Sequence, residues 1–206
     1  MTSAATLRAS IPPVKVMIDV RTSLYAQSCN NAVANHRLLK ACALLSAGEL
    51  SQTRTSFFPS IIHTLNHILT VDWFYVSRME DACIGHSAFE PELPHPRFND
   101  LEREQRAVDR RLMDTCRRLT PAKLEQPVVL KRGDRHVEED RHRLLLHLFE
   151  HQIHHRGQVH AMLSGTRSAP PQLDEFFFDT PHERQVRAAD FAELGLTEEG
   201  IWLQQR

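Results

Sequence analysis

The stretch 147–163, "HLFEHQIHHRGQVHAML", carries five histidines in seventeen positions that otherwise have the composition of a helix interior. At about 100° per residue, Leu144, Leu148, His151, His155, Val159 and Met162 fall within one arc. Two imidazoles therefore lie in an apolar seam, where a neutral ring without a partner carries a desolvation cost. A four-residue interval leans both side chains the same way, so both can reach one ion at a Zn–N distance of about 2 Å. The competing reading is a hydrogen-bonded core pair, because i, i+4 histidines arise by chance in any histidine-rich helix. A second pair, His147 and His151 with Glu150 between them, has the H-x-x-E-H order of some zinc proteases, with Glu150 as the prospective base. It ranks lower because His147 sits toward the edge of the seam. In "HQIHH", Gln152 stands where an H-E-x-x-H protease needs its glutamate, which argues against that peptidase chemistry.

Working outward, the spacing predicts this helix over about 139–163, ended by Ser164 and Gly165. Before it, "QPVVLKRGDRHVE" reads as two short extended runs around Gly133, a small hairpin. Residues 98–119 put Leu101, Val108, Leu112 and Leu119 on one stripe with charge elsewhere, a bundle helix with one wet face. The stretch 81–97, with three prolines and a glycine, is a long connection. Residues 57–79 are apolar around most of the circumference and predict a well-buried helix; helical periodicity also runs from Ile18 to Leu45. The first fourteen residues form a loose lead-in. After residue 165 come a loop, an aromatic patch and one short helix near 183–194. The amphipathic end, with Ile201 and Trp202, is expected to pack over the core or onto a second subunit.

A chain of 206 residues suits one main domain. Its formal charge of -1 gives no global basic field for a phosphate backbone, and the arginines of "DRRLMDTCRRL" alternate with acids, so nucleic acid is not an expected partner. No apolar run approaches the roughly 20 residues of a membrane span, and the N-terminus lacks the apolar core of a signal peptide; a cytoplasmic protein is expected. Cys29, Cys42, Cys83 and Cys116 have no C-x-x-C spacing and are read as reduced thiols without chemistry.

A catalytic metal usually takes three protein ligands and leaves a position for water, so a third group should come from another helix. "HTLNH" offers His63 and His67, and periodicity does not choose between them. The strings "HLFEHQIHHRGQVHAMLS", "PPQLDEFFF", "YAQSCNNAVANHRLL" and "FFPSIIHTLNHILTVDWFY" resemble the DinB family over roughly residues 20–178, "HHRGQVH" preceded by a His four residues earlier being the most specific part. That resemblance implies an all-α four-helix bundle, usually a homodimer. It implies a divalent ion held by the histidine of "NH" in the second helix and the two of H-x-x-x-H in the fourth, here His67, His151 and His155. Three imidazoles suit zinc or nickel, with iron as a further option. The chain then divides into the lead-in 1–14, the bundle 15–178 and a C-terminal extension 179–206. Val33 stands where relatives often carry a tryptophan.

The wider superfamily includes thiol-dependent S-transferases and isomerases. The expected function is a metal-dependent enzyme of the thiol S-transferase or hydrolase type, with a low-molecular-weight thiol or another small molecule as partner. The alternative is a non-catalytic metal-binding or stress-related scaffold. Asp72, Asn66 and Glu150 are candidates to receive the second N–H of a ligating ring. Tyr25 is a candidate partner for water at the ion, more simply a core aromatic. Arg156 and Gln158 either bind a substrate carboxylate or fix the first helix through Asn35, the second being preferred. Gly157 is read as allowing close backbone approach, and His154 and His160 as edge residues.

Overall fold

A computed structural model describes residues 19–82, 85–132 and 135–202, with the side chains of 85, 86, 131 and 132 excepted. Four long helices form the bundle: α1 (Val20–Cys42), α3 (Ile61–Met79), α4 (Phe98–Arg117) and α6 (Arg141–Leu163). Short helices α2 (Ala47–Ser51) and α5 (Pro121–Glu125), not foreseen from periodicity, fill connections. The main neighbours run in a ring, α1 against α4, α4 against α3, α3 against α6, and α6 against α1. The expected hairpin is present as β1 (Val128–Arg132) and β2 (Arg135–Glu139), antiparallel with Val128 opposite Glu139; Gly133 lies outside the described residues. Among the described residues the fold is all-α with this one small sheet.

Helix starts are set by side-chain caps. Asp19, Ser60 and Asp140 accept from Arg21 N, His63 N and Arg143 N and open α1, α3 and α6. Two expected boundaries move for this reason. α3 begins at Ile61 rather than 57, because Pro59 disfavours helical backbone at Phe58 and Ser60 takes the cap. α6 begins at Arg141 rather than 139, because Glu139 is held in β2. Its end at Leu163 is as read, but the cap Ser164 is right-handed and Gly165 simply donates to Met162 O.

The connection 81–97 holds a 3-10 turn, Gly85–Phe89, and is tied to α3 through Asn66, whose side chain pairs with both the N–H and C=O of His95. The C-terminal part forms two helices rather than one, α7 (Pro181–Leu194) and α8 (Glu198–Trp202). Phe176, Phe191 and Ile201 join Ala26, Cys29, Val33 and Met113 in a second apolar cluster beside the bundle core. Arg37 to Asp190 and Lys40 to Glu193 fasten α7 to α1. The extension therefore packs on its own bundle, while Trp202 stays 43 % exposed. Among the described residues, no helix is long and apolar enough to cross a membrane.

Candidate metal centre

α3 and α6 lie side by side, and His67 of α3 meets His151 and His155 of α6 across the seam. One ring nitrogen from each lies within 4.8 Å of the others. His67 Nε2 and His151 Nε2 are 3.0 Å apart, and ring centroids are 4.9 Å (His67–His151), 4.6 Å (His67–His155) and 4.4 Å (His151–His155). His155 is buried; His67 and His151 are half-buried. Burial, then the neighbouring rings, pull His67 down to about 4 and His151 to about 3; burial pulls His155 below its ordinary value against the opposing hydrogen bond to Gln158. Neutral rings with free lone pairs are what a cation requires.

His155 Nδ1 pairs with Gln158 Oε1 at 2.8 Å, so Nδ1 carries the proton and Nε2 presents its lone pair. Gln158 thus sits one turn after the ring that it orients, an i, i+3 relation visible in "HRGQ". Its amide also pairs with His154, which is exposed. His151 Nδ1 is buried and, among the described residues, without a hydrogen-bond partner, the weaker point of the arrangement. Tetrahedral ligands about 2 Å from an ion stand roughly 3.3 Å apart. The His67–His151 separation of 3.0 Å is close to that value, and the third nitrogen lies within 4.8 Å of both.

One wall comes from outside the helices. Phe58, freed from α3 by Pro59, lays its ring on His67 at 4.4 Å and reaches His155 at 5.7 Å. No periodic pattern identifies a loop aromatic, so nothing in the sequence marked it. Phe57 beside it is exposed.

Other candidates lie elsewhere. His63 is engaged by Ser60 Oγ at its Nδ1. His147 is exposed, its ring 6.3 Å from His151 and 5.4 Å from Tyr75, so the H-x-x-E-H pair does not assemble. Glu150 is exposed and hydrogen-bonds none of the three rings. Tyr25 packs where both apolar clusters meet, with its hydroxyl pushed up to about 12 by burial and by Cys29. Cys29, Cys42 and Cys116 are free and buried, and burial raises all three thiols; Cys83 lies outside the described residues.

Asp72 does not support a ring. It accepts from Gln105 Nε2 at 2.7 Å and from Gln152 Nε2, inside a buried polar group that no apolar-stripe reading anticipated. Asp109 accepts from Asn35 Nδ2 at 2.9 Å and from Gln105 Nε2 at 3.2 Å; Arg156 Nη1 donates to Asn31, to Asn35 and to Gln152 Oε1. Burial, then Asp109, pushes Asp72 up to about 8; burial lifts Asp109 to about 6 and pulls Arg156 down to about 10. The signal was present, since Gln105 and Asp109 occupy seam positions between Leu101 and Leu112 on the stripe of α4. Arg156 fixes α1 through Asn35, the preferred reading. Gly157 has no heavy atom within 4 Å of a Cβ built on it, so close approach does not explain it.

The DinB family model matches residues 20–186. The chain belongs to the DinB family. No curated protein matches it. Membership and the three-histidine cluster together fit a metal-binding DinB-like protein.

Proposed function

We propose that His67, His151 and His155 hold a divalent metal ion, zinc or nickel with iron as a further option, and that the protein is a metal-dependent enzyme of the thiol S-transferase or hydrolase type. The observation that carries this reading is the approach of three neutral imidazoles from two helices to within 4.8 Å, with His155 turned by Gln158 to present Nε2. When bound, such an ion acts as a Lewis acid and lowers the pKa of a thiol or water beside it. The chain's own residues do the rest. Phe58 shields His67 and part of His155 from water, and half-exposed His67 and His151 leave an approach from solvent. The reading carries with it a homodimer, a low-molecular-weight thiol as co-substrate and a cytoplasmic site of action.

A second reading is favoured by one observation: Asp72 is committed to Gln105 and Gln152, and Glu150 faces solvent, so neither acid stands ready as a base. In that case the ion joins α3 to α6 and nothing turns over.

Elemental analysis of protein made without an affinity tag is expected to find about one divalent ion per chain, lost in His67→Ala and His151→Ala. A thermal shift with bacillithiol, mycothiol or glutathione on metal-loaded protein, and not on metal-free protein, separates the enzyme from the scaffold. Protein that takes up no zinc, nickel or iron overturns both readings.

A further inference from the structure

On the side of α6 away from α3, a cavity of about 720 Å³ opens between α1, α6 and the segment 170–177. Gln27 and Asn30 border it from α1, Ile153, Arg156 and Gly157 from α6, and Leu173 and Phe177 from the segment. Its outer wall is pinned at both ends. His160 Nε2 meets Pro171 O at 3.0 Å, Arg37 Nη1 donates to Gln172 O at 3.1 Å, and Phe176 is buried in the second apolar cluster. The space is therefore preformed.

Its polar lining is unusual. Arg156 is only 4 % exposed, and although Asp109 and Asp72 attract it through the buried network, among the described residues no carboxylate pairs with it directly. Its hydrogen bonds all leave from Nη1 and all go to neutral amide oxygens, and among the described residues Nε and Nη2 make none. A buried guanidinium is ordinarily met by a carboxylate or phosphate, often through two parallel N–H donors. Asn30 Oδ1 is also buried without a donor. The apolar walls, Ile153 at 47 % and Phe177 at 48 % exposed, are large side chains left half-covered. Gly157 keeps the floor open, with nothing within 4 Å of a Cβ placed there. A concave, mostly apolar space with one fixed cation describes a small-molecule site. Asp174 at the rim is exposed and accepts from Gln172 Nε2 at 2.6 Å, so its charge is screened by solvent.

We infer that this cavity binds a small organic acid, its carboxylate received by Arg156 and its apolar part held between Ile153, Leu173 and Phe177. This inference is independent of the metal reading, because Arg156 and Gly157 face away from the three rings. A cavity of this size accommodates an acid with an aryl or medium alkyl substituent.

The test is calorimetric titration of the full-length chain with 4-phenylbutanoate and with 4-phenylbutanamide, with and without added zinc. The acid is expected to bind at least tenfold more tightly than the amide, equally with and without zinc, and Ile153→Asp is expected to weaken it at least tenfold. Ile153 is half-exposed, so that variant should fold, which its melting temperature and metal content verify; Phe177→Asp is the second variant, with the same expected loss. Equal binding of acid and amide overturns the inference, as does binding untouched by both variants or absent at millimolar concentration. Binding abolished by His67→Ala would place the acid on the metal ligands instead and overturn the inference.

Discussion

Two polar regions share α6, one residue apart in sequence, and they differ in how completely their atoms are paired. His151 and His155 face α3, where His151 Nε2 meets only the ring of His67, and among the described residues His151 Nδ1 has no partner. Gln152 and Arg156 Nη1 turn inward to Asp72, Asn31 and Asn35, where donor meets acceptor across three other helices. Among the described residues Gln105 Oε1 is left without a donor, and Nε and Nη2 of Arg156, which borders the cavity, make no hydrogen bond. The comparison teaches that buried polarity as such does not mark a site. Unspent coordination does: a set of side chains that satisfy each other holds helices together, and a set that converges without doing so waits for a ligand.

Removing Arg156 should separate the two regions most sharply. Arg156→Met leaves three buried amide oxygens without their donor and should cost about 3–5 kcal/mol of stability in chemical denaturation. His151→Ala removes a half-buried ring with an unpaired nitrogen, and should cost less than about 1 kcal/mol in metal-free protein. It should instead abolish the stabilisation by zinc, about 2.7 kcal/mol at a hundredfold excess over the dissociation constant. If His151→Ala unfolds the metal-free chain as badly as Arg156→Met does, the distinction fails.

The pH dependence sharpens the same contrast. Asp72 in the fold titrates at about 8, against roughly 4 for an aspartate in the unfolded chain, so the folded state retains a proton that the unfolded state has released. Stability should therefore fall by about 1–2 kcal/mol as pH rises from 6.5 to 8, then level off. His67 and His151 run the other way. Their folded values of about 4 and 3 lie below the ordinary 6.5, so their contribution is full above 6.5 and lost as pH falls below it. Denaturation of metal-free protein across pH 6.5–8 should show the first slope, and Asp72→Asn, with one of the two glutamine amides that donate to Asp72 turned over to accept from the new NH2, should flatten it. A slope unchanged in Asp72→Asn would assign the proton elsewhere.

The smallest effect concerns the helix itself. Gly157 is exposed in the middle of α6, has open space where a Cβ would go, and does not need a left-handed backbone. Gly157→Ala should raise stability by about 0.5–1 kcal/mol, read as a higher melting temperature, without changing metal content.

Much of this molecule was legible before any coordinates. Four periodic segments gave the bundle, Gly133 between extended runs gave the hairpin, and the i, i+4 histidines of α6 gave two of the three clustered rings. Boundaries slipped where a local competitor acted: Pro59 and Ser60 cut the start of α3, and the β2 pairing of Glu139 delayed α6. The choice between His63 and His67 was not available from periodicity, because α3 is apolar on so many sides. The Ser60 hydroxyl decides it by engaging His63, while His67 faces α6.

Sequence by itself determined which residues share a helix face, since that follows from a fixed rotation per residue. Only the tertiary structure decided which faces meet, and hence that Asp72 serves the inner network rather than a ring, that Phe58 covers His67, and that Arg156 borders a cavity. Periodicity carries an angle about one helix axis. Partnership depends on the distance between two axes and on side-chain rotamers chosen in packing, and neither is written in the spacing of residues along one chain.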